Sequence, residues 1–274
     1  MALLVGVVIG LVLGLTGAGG SVFAVPLLMM LLELPLQQAI GISLGAVALS
    51  AVFGVCTKWK SGNILWLPAL VYSVLGALVA PIGNLLNQSI GQETLLLTFA
   101  GLVLVIATRM WLQASKSPES TKVVRAQLLS KPSDNLALCR AAGNKPFQIG
   151  FPCMLAMSGG AVLTGFLSGL YGVGGGFLIV PTLIFLVQVS IQQAIATSLV
   201  VISVISSSGF MTYCLSGMSV DSHLLALVGA GGVSGMFVGL LLGKRVSGPI
   251  LQKSFSVLMI LMMGMTLMTK VFLN

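Results

Sequence analysis

The chain has 274 residues, of which 57% are hydrophobic and only 7% carry a charged side chain. A soluble domain would need many more charges on its surface, and the long apolar runs do not alternate as the strands of a membrane barrel do. The composition predicts an all-α, multi-pass membrane protein, because a chain in lipid must satisfy its backbone hydrogen bonds internally. The net charge of +8 comes mainly from basic residues in a few loops, which indicates membrane orientation rather than nucleic-acid binding.

Ten apolar segments follow one another, five before and five after a polar linker. The second segment of each group is too short for a straight crossing, so we predict that it forms a helical hairpin with the first. The chain then divides into a first transmembrane repeat (1–112), a basic linker (113–149) and a second transmembrane repeat (150–274). The predicted segments span residues 2–16, 20–33, 37–56, 64–86 and 94–112, and then 150–170, 176–188, 192–214, 223–243 and 254–273.

The two groups of segments are copies of one another. The sequence Gly-Leu-Thr-Gly-Ala-Gly-Gly-Ser from Gly14 matches Gly-Leu-Tyr-Gly-Val-Gly-Gly-Gly from Gly169, which sets an offset of 155 residues. The same offset aligns Val-Pro at 25–26 with 180–181, and Gln-Gln-Ala-Ile at 37–40 with 192–195. Such a sustained register predicts an internal duplication.

The positive-inside rule orients the two repeats. It places the basic linker and the loop with Lys58 and Lys60 in the cytoplasm, and both termini in the periplasm. The loop with Asp221 then lies outside, although the equivalent loop of the first repeat lies inside, so the repeats have inverted topology. Inverted repeats are typical of secondary transporters with alternating access to one site. A duplicated membrane protein with another role is the alternative.

A glycine cluster interrupts the first hairpin of each repeat. Consecutive glycines weaken a helix, and in lipid a break persists only where protein or a wet cavity surrounds it. Free amides there, with the N-terminus of the next helix, suit an anion. We predict that the two breaks face one another near the membrane midplane and bind a small anion. Close helix packing is the alternative. The predicted binding residues are Gly17, Gly19, Gly20, Ser21, Gly172, Gly174, Gly175 and Gly176, with Pro26 and Pro181 in structural roles.

Neutral polar residues follow each cluster in the third segment. They are Gln37, Gln38, Gln192 and Gln193 at its start, and Ser43, Thr197 and Ser198 deeper in it. Hydrogen bonding to an oxyanion along the path is one interpretation. Helix capping by the amides and bonding of the hydroxyls to the helix backbone is the other. A single histidine and the lack of a CxxC pair give no basis for a metal site or another cofactor.

The duplicated Gly-Leu-x-Gly-x-Gly-Gly motif with its downstream proline, the Gln-Gln-Ala-Ile echo and the basic central loop resemble the sulfite exporter TauE/SafE family. This family is also called the toluene-sulfonate uptake permease family. The first copy departs from the motif because Ser21 replaces the third consecutive glycine. The resemblance implies a permease of the bacterial inner membrane for a sulfur-containing anion: sulfite, thiosulfate, sulfoacetate or a sulfonate. It leaves the direction of transport open.

Two other functions compete with a permease. A passive anion channel would share the glycine site. An intramembrane hydrolase would need a serine activated by a histidine, and the only histidine, His223, lies beside a predicted periplasmic loop. We therefore predict that the chain is not an enzyme. The expected partners are the lipid bilayer and a small anion, and a homodimer stays an open alternative. Acidic residues lie near the ends of spans, which predicts uniport or an indirect proton dependence, with Glu33 the candidate for direct coupling.

Overall fold

The computed structural model is helical over most of the chain that it describes. It describes residues 1–17, 20–59, 62–116, 151–171, 179–180, 182–183, 191–217 and 221–242, with Val257 and Ile260. The helices in this part are α1 (Ala2–Thr16), α2 (Gly20–Leu31), α3 (Leu36–Lys58), α4 (Trp66–Ser89), α5 (Gln92–Lys116), α6 (Phe151–Tyr171), α7 (Ile191–Leu215) and α8 (Ser222–Leu242). The predicted all-α class is confirmed. The end of α5 lies inside the predicted linker, and the rest of the linker lies outside the described residues.

Five of the described helices are long and apolar enough to cross a bilayer: α3, α4, α6, α7 and α8. The exposed face of α4 shows the apolar surface that such a helix needs. Exposed apolar side chains recur every fourth residue from Leu70 through Val74 and Leu78 to Ile82, which is the stripe that a helix presents to lipid. By contrast, α1 and α2 have only 15 and 12 residues. At about 1.5 Å per residue both fall short of a hydrocarbon core of about 30 Å.

Glycine-lined contacts join helices of different repeats. α1 packs along α8, where a Cβ on Gly14 would lie 2.7 Å from the carbonyl oxygen of Met236. α6 packs along α4, where a Cβ on Gly165 would lie 2.5 Å from the carbonyl oxygen of Gly76. By the repeat offset, α1 is equivalent to α6 and α8 to α4. The first helix of each repeat therefore packs against the fourth helix of the other repeat.

Six of the described helices form two bundles that meet chiefly along α3 and α7. One bundle contains α1, α3 and α8, and the other contains α4, α6 and α7. At the contact between them, Gly45 faces Phe210 and Gly54 faces Leu199, so α3 and α7 are antiparallel. These two helices are equivalent in the two repeats, and antiparallel packing is the relation that inverted repeats require. The orientation of the repeats in a membrane stays a prediction.

The loops after α3 and α7 share a backbone conformation. Gly62 has a φ of 67° and Gly217 has a φ of 74°, and these two glycines are one repeat offset apart. A left-handed φ favours glycine at both positions because other residues are strained there. The duplication is thus visible in a turn as well as in the helices.

Candidate functional site

α1 ends at a glycine in the left-handed conformation. Gly17 has a φ of 68°, and its N–H donates to the carbonyl oxygen of Leu13 over 2.7 Å, which closes the last turn. α2 then begins at Gly20, where a Cβ would lie 2.5 Å from the carbonyl oxygen of Ile9 in α1. Both glycines are buried. The predicted interruption of the first hairpin is therefore confirmed, and it lies inside the protein.

Ser198 holds this break against α7. Its hydroxyl lies 2.8 Å from the carbonyl oxygen of Gly17 and 2.9 Å from that of Ile195, so one proton serves two backbone acceptors. The contact is close, because a Cβ on Gly17 would lie 2.9 Å from the Cα of Ile195. In this arrangement Ser198 stabilises the break and has no proton left for an anion.

The break offers backbone groups rather than charged side chains. The first N–H groups of α2 have no acceptor within their own helix, and the helix dipole makes this end partly positive. Gly20 opens that turn, while Gly19 and the side chain of Ser21 lie outside the described residues. The acidic residues of the described part, Glu33, Glu93 and Asp221, are all exposed. No carboxylate in that part of the chain therefore lies beside the break to repel an anion.

The other two predicted hydroxyls are completely buried. Thr197 accepts a hydrogen bond from the backbone N–H of Leu65 over 3.0 Å, which ties the start of α4 to α7. Ser43 is the repeat equivalent of Ser198 and lies in α3. The observed bond of Thr197 is structural, and the binding roles of both residues stay predictions.

The structure separates the predicted glutamine pairs. Gln37 and Gln38 lie in the first turn of α3, and Gln192 and Gln193 lie in the first turn of α7. Because α3 and α7 are antiparallel, the pairs lie about 36 Å apart along the helices, which is more than the hydrocarbon thickness of about 30 Å. Gln38 and Gln192 are exposed, and the other two are half-buried. These positions favour residues at opposite membrane boundaries over a shared site.

The two serines are also separated along the same helix pair. Gly54, which faces Leu199, lies eleven residues after Ser43. Ser198 lies one residue beyond that level in the antiparallel pair, so Ser43 and Ser198 are about 18 Å apart along the helices. If each serine lies at the same depth in the protein as the break of its partner repeat, the two breaks lie at different depths. A single site at the midplane stays a prediction that this register does not support.

Several predicted residues lie outside the part of the chain that the structure describes. The second glycine cluster, which contains Gly172, Gly174, Gly175 and Gly176, lies outside the described residues, as does Pro181. Pro26 is buried inside α2, where it removes one backbone donor from the helix. Within the described ranges no group of His, Cys, Asp and Glu side chains has the arrangement of a metal site.

Comparison with known proteins identifies the family. The family model Sulfite exporter TauE/SafE matches residues 2–266. The chain belongs to this family. A probable membrane transporter protein of Xylella fastidiosa (strain 9a5c) is 29% identical over 258 residues, which cover 93% of this chain and 89% of that relative. The probable membrane transporter protein YdhB of Bacillus subtilis (strain 168) is 26% identical over 239 residues, with 87% and 88% covered. No solved structure matches the chain.

The TauE/SafE family and these relatives indicate a membrane transporter rather than an enzyme. With five helices able to cross a bilayer, the chain is a multi-pass membrane protein. The names of these relatives do not specify a substrate. The helix break and the contacts between the bundles are therefore the candidate substrate-binding regions of this TauE/SafE protein.

Two polar residues of α4 were not singled out from the sequence. Asn84 and Asn87 are buried, and Nδ2 of Asn87 donates to the carbonyl oxygen of Leu170 over 2.6 Å. This bond satisfies a carbonyl in the last turn of α6, which no residue of its own helix can reach. The available signal was the presence of two carboxamides in an apolar span, which are costly in lipid unless they face protein.

Proposed function

We propose that this TauE/SafE protein is a secondary transporter that moves a small sulfur-containing anion across the bacterial inner membrane. The observation that carries the proposal is the buried break between α1 and α2. It places helix-terminal amides inside a bundle of apolar helices, where an anion can be held without a buried lysine or arginine. A fixed positive charge at that depth would be costly to insert, and neutral donors also allow release.

The two-bundle architecture supports a carrier. In many transporters one bundle moves against the other around the binding site. Here the α1–α3–α8 bundle and the α4–α6–α7 bundle meet along α3 and α7, and Gly17 of the first bundle contacts Ser198 of the second. The break thus lies at the boundary that such a movement would open. We further propose that the basic linker is cytoplasmic and both termini are periplasmic.

The test is binding and transport by the purified protein. A ligand that binds only the folded state stabilises it by about 2.7 kcal/mol at one hundred times its dissociation constant. We expect sulfite, thiosulfate, sulfoacetate or an aryl sulfonate to raise the melting temperature. Sulfate and acetate serve as size and charge controls. The stabilising anion should also enter liposomes that contain the protein, with saturation and with counterflow.

Three results would contradict this proposal in different ways. Stabilisation by acetate or a cation, with no effect of the sulfur anions, would refute the substrate class. Flux without saturation or counterflow, together with single-channel currents, would indicate a channel. A protein that neither binds nor transports any anion of the panel would refute the proposed function as a whole.

A further inference from the structure

Five buried side-chain polar atoms in the described part of the chain have no hydrogen-bond partner. One is the hydroxyl oxygen of Tyr72, and the other four are the hydroxyl oxygens of Ser73, Ser168 and Ser206 and the side-chain nitrogen Nδ2 of Asn84. Each of these residues is less than 10% exposed. All four lie in α4, α6 or α7, which form one of the two bundles. Buried groups of this kind are expensive, so each calls for an explanation.

The other bundle has no equivalent of this polar set. At the repeat offset of 155 residues, Ser73 corresponds to Val228 and Asn84 to Gly239. Ser168 likewise corresponds to Leu13, and Ser206 to Ala51. Every equivalent position is apolar and buried. The duplication therefore does not impose polar residues here, and the fold is built in one bundle without them.

Asn84 and Ser168 belong to the same helix contact. Gly169, the residue after Ser168, approaches α4 so closely that a Cβ on it would lie 3.0 Å from the backbone nitrogen of Asn84. One turn further along α4, Asn87 donates to the carbonyl oxygen of Leu170. Asn84 therefore belongs to the stretch of α4 that packs against the last turns of α6, and Asn87 fixes the two helices in that position.

The chemistry of this contact is that of neutral hydrogen-bond donors. A carboxamide nitrogen has two donor hydrogens and a serine hydroxyl has one. Neither α4 nor α6 contains an Asp, Glu, Lys or Arg residue, so no charged side chain of these helices competes for the donors or neutralises a ligand. Unpaired neutral donors inside an apolar bundle suit the oxygens of a small anion, which bind donors more strongly than neutral acceptors do.

We propose that the α4–α6–α7 bundle provides a second contact site for the transported anion, with Asn84 and Ser168 as hydrogen-bond donors, in addition to the amides at the break between α1 and α2. The equivalent positions of the other bundle have no such donors, and Ser198 beside the break is committed to backbone carbonyls. This inference rests on the proposed function and names the residues that would hold the substrate.

The test compares two variants with a matched control in liposomes. Asn84→Ala and Ser168→Ala each remove an unpartnered donor. Ser50→Ala removes an equally buried hydroxyl in the other bundle, where Ser50 donates to the carbonyl oxygen of Ala46 over 2.7 Å. With sulfite and thiosulfate as probes, we expect KM to rise about tenfold or more for each of the first two variants, since a hydrogen bond to a charged group is lost. KM should change less than about twofold for Ser50→Ala.

The melting temperature without substrate separates binding from folding. Ser168→Ala should not lower it, because the lost hydroxyl has no partner in the protein. Ser50→Ala should lower it slightly, because a satisfied hydrogen bond is lost. If Asn84→Ala does not fold, the KM of Ser168→Ala compared with that of Ser50→Ala still tests whether the unpartnered donors bind the anion.

Two outcomes would overturn the inference, and they are distinguishable. A wild-type protein that transports the probes while the KM of Ser168→Ala equals that of Ser50→Ala would refute these donors and leave the proposed function intact. A wild-type protein that moves neither probe would refute the proposed function for these anions, and the inference with it.

Discussion

Substitution of Gly17 by alanine tests the geometry of the helix break. An alanine with a φ of 68° adopts the left-handed conformation, which costs about 1–2 kcal/mol. Its Cβ would also lie 2.5 Å from Cγ2 and 2.9 Å from Cα of Ile195, and such overpacking costs about 1–3 kcal/mol. We therefore expect Gly17→Ala to lower the free energy of unfolding by about 2–5 kcal/mol. Titration with a denaturing detergent in mixed micelles measures this change.

Gly62→Ala is the matched control. Gly62 has nearly the same φ, 67°, but nothing lies within 4 Å of a Cβ placed on it. It should lose only the conformational part, about 1–2 kcal/mol. The difference between the two variants isolates the contact of Gly17 with α7. Equal losses would show that the break does not pack against Ile195 of α7.

Three further predictions concern packing, topology and coupling. Gly165→Ala should destabilise the protein by about 1–3 kcal/mol, because its Cβ would overlap the backbone of α4, whereas Gly159→Ala, with open space around it, should be neutral or stabilising in thermal melts. In a cysteine-free background, membrane-impermeant thiol reagents should label Asn63→Cys and Ser216→Cys from opposite sides, and labelling of both from one side would exclude inverted repeats. Glu33→Gln should leave the pH dependence of transport unchanged, since Glu33 is exposed in the loop between α2 and α3, and loss of a proton-driven acceleration in this variant would establish direct coupling.

The positions of the helices were readable from the sequence because apolar runs and polar or glycine-rich interruptions alternate along the chain. α1 was predicted as residues 2–16, which is the range observed. α3 and α7 are longer than predicted by up to two residues at an end. The glycine break was predictable for the same reason, since a helix loses stability where glycines cluster.

The sequence does not predict which helices pack against one another. Helices that are apolar on every side give little periodicity, so the sequence does not show which face meets which partner. The bond between Ser198 and Gly17 joins residues 181 positions apart, and the approach of the end of α1 to α7 brings them together. The separation of the glutamine pairs also follows from the antiparallel contact of α3 with α7 rather than from local sequence.

The same contact makes a prediction about movement. If transport requires the two bundles to rock, a covalent link between them should stop it. Gly45 of α3 faces the ring of Phe210 in α7, so Gly45→Cys with Phe210→Cys, joined by a short bifunctional thiol reagent, would lock the bundles together. Net anion flux should fall to the level of empty liposomes, while binding measured by thermal stabilisation should persist, because alternating access needs movement and binding does not.

A link within one bundle provides the control. Leu49 of α3 faces Gly229 of α8, with a Cβ on Gly229 placed 2.8 Å from the end of the Leu49 side chain. Leu49→Cys with Gly229→Cys, treated with the same reagent, should leave flux unchanged. Undiminished flux in both linked proteins would show that α3 and α7 stay fixed during transport. The movement would then occur elsewhere. The hairpin of α1 and α2 is the next candidate, because the helix is already interrupted there, between Thr16 and Gly20.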